Sequence, residues 1–239
     1  IIIIGESALY GTAGQYIFES IKKFLYEKNF INNDWNALNV LNQQASRVGA
    51  IDLGCYSINE SENFSFFEKL NNDSFKFIYL LGSDNFNFEK KDKFIVYQGS
   101  HGDKGAEIAD IILPGASYTE KNGLFINLEG KMQKAYKASY PPGDSREDWI
   151  ILKDLAKLMN KPFSYNNISQ LRELINKELL KKTHNVVDDN FNIDFVNTNI
   201  SVKIIDYYHT NPICRASKVM SECKQISKNF LFNGIEKAS

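Results

Sequence analysis

Four short apolar runs mark the chain: IIII at residues 1–4, FKFIYLL at 75–81, FIVYQG at 94–99 and ADIIL at 109–113. They are rich in β-branched and aromatic residues and halt at Gly5, Gly82, Gly99 and the Pro114-Gly115 pair, so each reads as a strand. The run at 75–81 has no polar alternation, the pattern of a central parallel strand buried on both faces. Helical periodicity occupies the intervals. Tyr16, Ile17, Ile21, Phe24 and Leu25 give residues 15–28 an apolar face, and residues 64–70 read as a short amphipathic helix. Further on, Ile150, Ile151, Leu152, Leu155, Leu158 and Met159 form a helix with Ser145 as its candidate N-cap, stopped at Lys161-Pro162. Residues 168–182 and 215–228 complete the helices.

Strands joined through helical connections predict an α/β fold, with a Rossmann-like, mainly parallel sheet of these four strands flanked by helices on both sides. Residues 32–55 read as loop-rich with a short helix at 43–48. Residues 118–132 read as an irregular crossover with a turn at Asn122-Gly123 and a short strand. From residue 183 periodicity fades and asparagines multiply, which predicts an extended C-terminal tail. The expected division is an α/β domain over 1–182 and a tail with a terminal helix over 183–239, docking on neighbouring subunits.

Composition narrows the function classes. The 239 residues are 43% hydrophobic and 24% charged, enough for a sizeable core. A formal net charge of −1 with no basic stripe argues against a dedicated nucleic-acid binder. No apolar run approaches the roughly 20 residues that cross a bilayer, so no direct membrane insertion is expected. Cys55, Cys214 and Cys223 are too few and wrongly spaced for a disulfide framework or a CxxC metal site, and read as free thiols. The frequent Asn, Lys, Ile and Phe suggest an AT-rich coding genome. The first residue is Ile1 rather than methionine, which suggests a processed, split or partial product.

Chemistry, if any, belongs to residues 97–130, where the glycines cluster. SHGDKG at 100–105 is a loop whose glycines let successive N–H groups face one concavity, fit for an anion or a neighbouring loop. His101 and Asp103 are its acid–base candidates, but no nucleophile, metal ligand or second base accompanies them, so a structural role is expected. Glu120 and Lys121 read as an ion pair or solvated positions. His184 and His209 are isolated. The glycines at 5, 11 and 14 do not fit GxGxxG, which disfavours a free-standing nucleotide-binding Rossmann protein.

The string LPGASYTEKNGLFINLEGKMQ resembles the LP-A-E-G-F-N-EGR-Q stretch of the molybdopterin oxidoreductase superfamily. YQGSHGDKGAEIAD before it resembles one branch, the largest iron–sulfur subunit of respiratory NADH:ubiquinone oxidoreductase (complex I) in its mitochondrial and alphaproteobacterial form. Trp35, Asn39, Leu41, Ala45, Ser46, Val48, Ala50, Asp52, Leu53 and Gly54 fit a second passage of that subunit, and YYHTNPICRASKVMSEC fits its tail. The resemblance implies a structural, non-redox part of the peripheral arm of an enzyme that passes electrons from NADH to ubiquinone and pumps protons. It further implies the matrix side of the mitochondrial inner membrane or the cytoplasmic face of a bacterial one. The implied partners are other peripheral-arm subunits, including the cluster-bearing N-terminal half.

Lys131 replaces the superfamily arginine between Glu129 and Gln133, losing the planar fork of donors. No catalytic, cofactor-binding or metal residues are therefore expected, and no cofactor in this chain, the iron–sulfur clusters belonging to the N-terminal half. The competing expectation is a fragment of a molybdopterin-dependent oxidoreductase with a functional pterin site near residues 100–105 and 129–133. On the first reading, a β-branched residue at Gly102 or Gly105 impairs assembly.

Overall fold

The structure is a computed structural model that describes residues 1–32, 34–55, 66–71, 74–83, 88–181, 195–198 and 206–235. It contains two compact units: residues 1–57, 124–135 and 164–204 form one, and residues 58–123, 136–163 and 205–239 the other.

In the first unit, β1 (Ile2–Gly5) leads through a 3-10 helix (Glu6–Leu9) into α1 (Gly14–Glu27). β1 pairs in parallel with β2 (Leu38–Leu41), Ile2 opposite Leu38 and Gly5 opposite Leu41. α1 packs on this pair through Ile21 and Leu25, which join Ile31, Ala37 and Leu38 in a core cluster. α2 (Arg47–Asp52) follows. β6 (Gly123–Ile126) and β7 (Met132–Ala135) make a two-stranded sheet, and α6 (Ile168–Lys181) belongs to the same unit.

The second unit is built on a three-stranded parallel sheet in the order β3 (Phe77–Leu81), β4 (Phe94–Gly99), β5 (Ile111–Pro114). Ile78 lies opposite Ile95, and Tyr97 lies between Leu80 and Ile112. Because side chains alternate across a strand, these residues share one face. That face is the core, where Ile78, Leu80, Ile95 and Tyr97 meet Leu70 of α3 (Phe66–Asn71), with Phe75, Phe88, Ala106, Ile108 and Ala109 around them. Truncating Leu70 or Ile95 to alanine costs about 2–5 kcal/mol at such buried positions. α4 (Lys104–Glu107) is a single turn between β4 and β5. Asp110 closes this crossover, accepting the Ile95 N–H at 2.8 Å while its own N–H donates to the Ile95 carbonyl at 2.8 Å. α5 (Asp148–Leu158), α7 (Pro212–Ala216) and α8 (Lys218–Ile235) complete the unit.

The α/β class with parallel sheets flanked by helices is as the sequence predicts, but the strand membership is not. IIII pairs with LNVL in its own two-stranded sheet rather than joining the other three strands. LNVL reads as loop because it is four residues long among asparagines, and so short a strand owes its conformation to its neighbour. The short helix lies at Arg47–Asp52, not 43–48, since Gly54 (φ 78°) fixes its end through the Gly54 N–H to Ile51 carbonyl and Cys55 N–H to Ala50 carbonyl bonds. Ser145 does not cap α5, whose N-cap is Glu147. The last helix divides at Ser217, whose hydroxyl caps the second segment by accepting the Met220 N–H at 3.3 Å. The expected extended tail lies largely outside the described residues.

Candidate functional site

The glycine-rich loop wraps a tyrosine ring. Tyr97 is 1% exposed, and its hydroxyl donates to the His101 carbonyl at 2.8 Å. A Cβ on Gly99 would lie 2.1 Å from the Tyr97 hydroxyl oxygen. One on Gly105 would lie 2.8 Å from the Ser83 carbonyl oxygen and 3.0 Å from the Tyr97 ring. These glycines are needed for close approach to the ring. Gly102 differs: a Cβ there meets nothing within 4 Å, so its substitution has no steric reason to disturb the packing of the loop within this chain.

The polar side chains of the loop are turned to each other and to the C-terminal helices. Asp103 is the N-cap of α4, accepting the Lys104 N–H at 2.9 Å, and its other oxygen takes the Arg215 guanidinium of α7. Only 18% of the Asp103 side chain and 17% of the Arg215 side chain are exposed. His101 Nδ1 lies 2.9 Å from the Ser100 hydroxyl. His101 and Asp103 are thus not brought together as an acid–base pair.

At the C-terminal end of the sheet a buried network sits where open α/β sheets place their ligands. Gln98 is 0% exposed. The Tyr79 hydroxyl donates to Gln98 Oε1 at 2.5 Å, and Gln98 Nε2 donates to Asp148 Oδ1 at 2.9 Å. Lys121 pairs with the second Asp148 oxygen. Burial first, and then the Asp148 carboxylate, push the Tyr79 phenol above its ordinary pKa. Glu120 accepts the Ser117 N–H at 2.9 Å, while the buried Ser117 hydroxyl has no partner among the described residues. Every polar group of the Tyr79–Gln98–Asp148–Lys121 chain is engaged with the next, an arrangement that locks a core. Glu120 and Lys121 are held by Ser117 and Asp148 rather than paired with each other. Asp148 and Gln98 were missed by sequence reasoning; Asp148 looked like an ordinary first-turn acid, and Gln98 like a strand-end polar residue.

Gly130 (φ 76°) turns the β6–β7 hairpin, where Asn127 Oδ1 accepts the N–H groups of Glu129 at 3.1 Å and Lys131 at 2.9 Å. The turn expected at Asn122-Gly123 is replaced by strand, and Asn122 Oδ1 instead accepts the Lys137 N–H at 3.2 Å. Beside the hairpin runs a groove of about 840 Å³ lined by Val48, Asp52, Ile126, Leu128, Glu129 and Leu180 among others. An anionic pterin cofactor does not fit these residues. Among the described residues the groove offers two carboxylates and no cation, the loop presents the acidic Asp103, whose carboxylate is taken by Lys104 N–H and Arg215, and Lys121 is paired with Asp148.

Ser221, His209 and Asp206 resemble a nucleophile triad, with His209 Nε2 3.2 Å from the Ser221 hydroxyl and Nδ1 3.7 Å from Asp206. Ser221 donates instead to the Ser217 carbonyl at 3.1 Å, and Lys224 occupies the Asp206 carboxylate and lies 3.3 Å from His209 Nδ1. The cluster fastens the 206–211 turn to α8. His184 lies outside the described residues. Cys55 and Cys223 are exposed and Cys214 half-buried, none bonded to another, and among the described residues no three His, Cys, Asp or Glu converge as a metal's ligands would.

Residues 1–158 match the model of the molybdopterin oxidoreductase family, and residues 181–223 that of the C-terminal region of the NADH-ubiquinone oxidoreductase G subunit. The chain is 38% identical over 241 residues to the NADH-ubiquinone oxidoreductase 75 kDa subunit of Reclinomonas americana, covering 95% of this chain and 34% of that protein. It is 35% identical to the mitochondrial NADH-ubiquinone oxidoreductase 78 kDa subunit of Candida albicans (93% of this chain, 32% of the relative). It is 34% identical to the NADH-quinone oxidoreductase G subunit of Rickettsia bellii (100% and 35%). The chain thus spans about a third of the length of these relatives. With a family match running through β1 to α5 and relatives at 34–38% identity over nearly the whole chain, the chain belongs to the molybdopterin oxidoreductase family, in the branch of the complex I 75/78 kDa and G subunits.

Proposed function

We propose that this chain is a structural, non-redox part of the peripheral arm of respiratory complex I, which transfers electrons from NADH to ubiquinone coupled to proton pumping. The observation that carries this reading is the Asp103–Arg215 pair, which fills with the chain's own residues the one loop whose sequence suits an anion. A cofactor domain with its loop closed in this way serves packing. The chain has no catalytic, cofactor-binding or metal residues of its own, and the iron–sulfur clusters reside in the N-terminal part of the full subunit.

Its partners are that cluster-bearing part and the neighbouring peripheral-arm subunits. The body over 1–182 packs beside the former, and the tail over 183–239 docks on the latter. The location is the matrix side of the mitochondrial inner membrane or the cytoplasmic face of a bacterial one. Among the described residues no helix is long and apolar enough to cross a membrane, which suits attachment through other subunits.

The test is native electrophoresis of detergent-solubilised respiratory membranes, with the chain followed by mass spectrometry and NADH dehydrogenase activity by stain. Co-migration of chain and activity is expected; a chain found only away from the active band overturns the assignment. Metal analysis of the purified chain is expected to show no stoichiometric iron or molybdenum, and molybdenum at one per chain would instead establish the cofactor-bearing alternative.

A further inference from the structure

We draw no further inference here: the strongest candidate, the groove of about 840 Å³ formed by α2, the β6–β7 hairpin and α6 with Asp52 and Glu129 among its apolar walls, carries nothing because nothing in the structure shows what covers it.

Discussion

At Gly105 there is no room for a side chain, because the Ser83 carbonyl and the Tyr97 ring close on the position from two sides. Gly105→Val is expected to lower stability by about 1–3 kcal/mol through forced displacement of a buried ring, measured by urea unfolding, whereas Gly102→Val should stay within about 0.5 kcal/mol of the parent. Equal losses at the two glycines would contradict the packing role of the loop. Acid sensitivity is set at the same scale. The Lys90 ammonium, and then the Ile95 N–H, hold the Asp110 carboxyl below its ordinary pKa, and Lys224 does the same for Asp206. A depressed folded pKa gives stability that is present above the unfolded value, near about pH 4, and is lost as pH falls through the folded value. Asp110→Asn should therefore melt lower than the parent at about pH 7 and converge with it in strong acid, which thermal melts between those limits would show.

Three helices end alike, and the endings divide by residue type. After α1, α2 and α5 the chain enters the left-handed region at Asn29 (φ 57°), Gly54 (φ 78°) and Asn160 (φ 57°). Each end is closed by the same pair of bonds: Asn29 N–H to Tyr26 and Phe30 N–H to Leu25 after α1, and Asn160 N–H to Lys157 and Lys161 N–H to Ala156 after α5. Asparagine tolerates that conformation better than other residues with a Cβ, but glycine adopts it without steric cost. Asn160→Gly is expected to raise stability by up to about 1 kcal/mol and Asn160→Val to lower it by about 1–2 kcal/mol, read as shifts in the thermal midpoint. The asparagine-rich composition, taken from the sequence as a mark of the coding genome, thus also supplies helix stops. Lys161-Pro162 looked like the stop for α5, yet the helix has already turned at Asn160.

For the molecule as a whole, the C-terminal helices are tied to the glycine-rich loop by a contact across 112 positions of sequence, Arg215 to Asp103. Both side chains are largely buried, so removing either partner leaves a charge without its counterpart. Arg215→Ala and Asp103→Ala are each expected to destabilise the second unit, with a coupling energy of about 1–2 kcal/mol in the double-mutant cycle. Truncation after residue 205 should destabilise the unit at least as much as Arg215→Ala. If instead the truncated chain unfolds like the parent, the tail contributes nothing to the body and acts on partners alone.

The sequence by itself determined the α/β class, three of the four parallel strands as one sheet, most of the helices and the family, because hydrophobic period, glycine stops and long residue-dense motifs are local signals. Only the tertiary structure decided what the residues of the candidate site do. The glycines of the loop over residues 100–105 read as an anion cradle until Gly105 was seen to pack against the Tyr97 ring and Gly102 to stand in open space. Asp103 read as a possible acid–base partner of His101 until Arg215, remote in sequence, was seen to take its carboxylate. Gln98 and Asp148 carried no signal at all until the fold joined them with Tyr79 and Lys121. β2 likewise became a strand only by lying beside β1. The physical reason is the same in each case: close packing, charge pairing and strand pairing are fixed by residues far apart in the chain, and their strength depends on burial that no local pattern records.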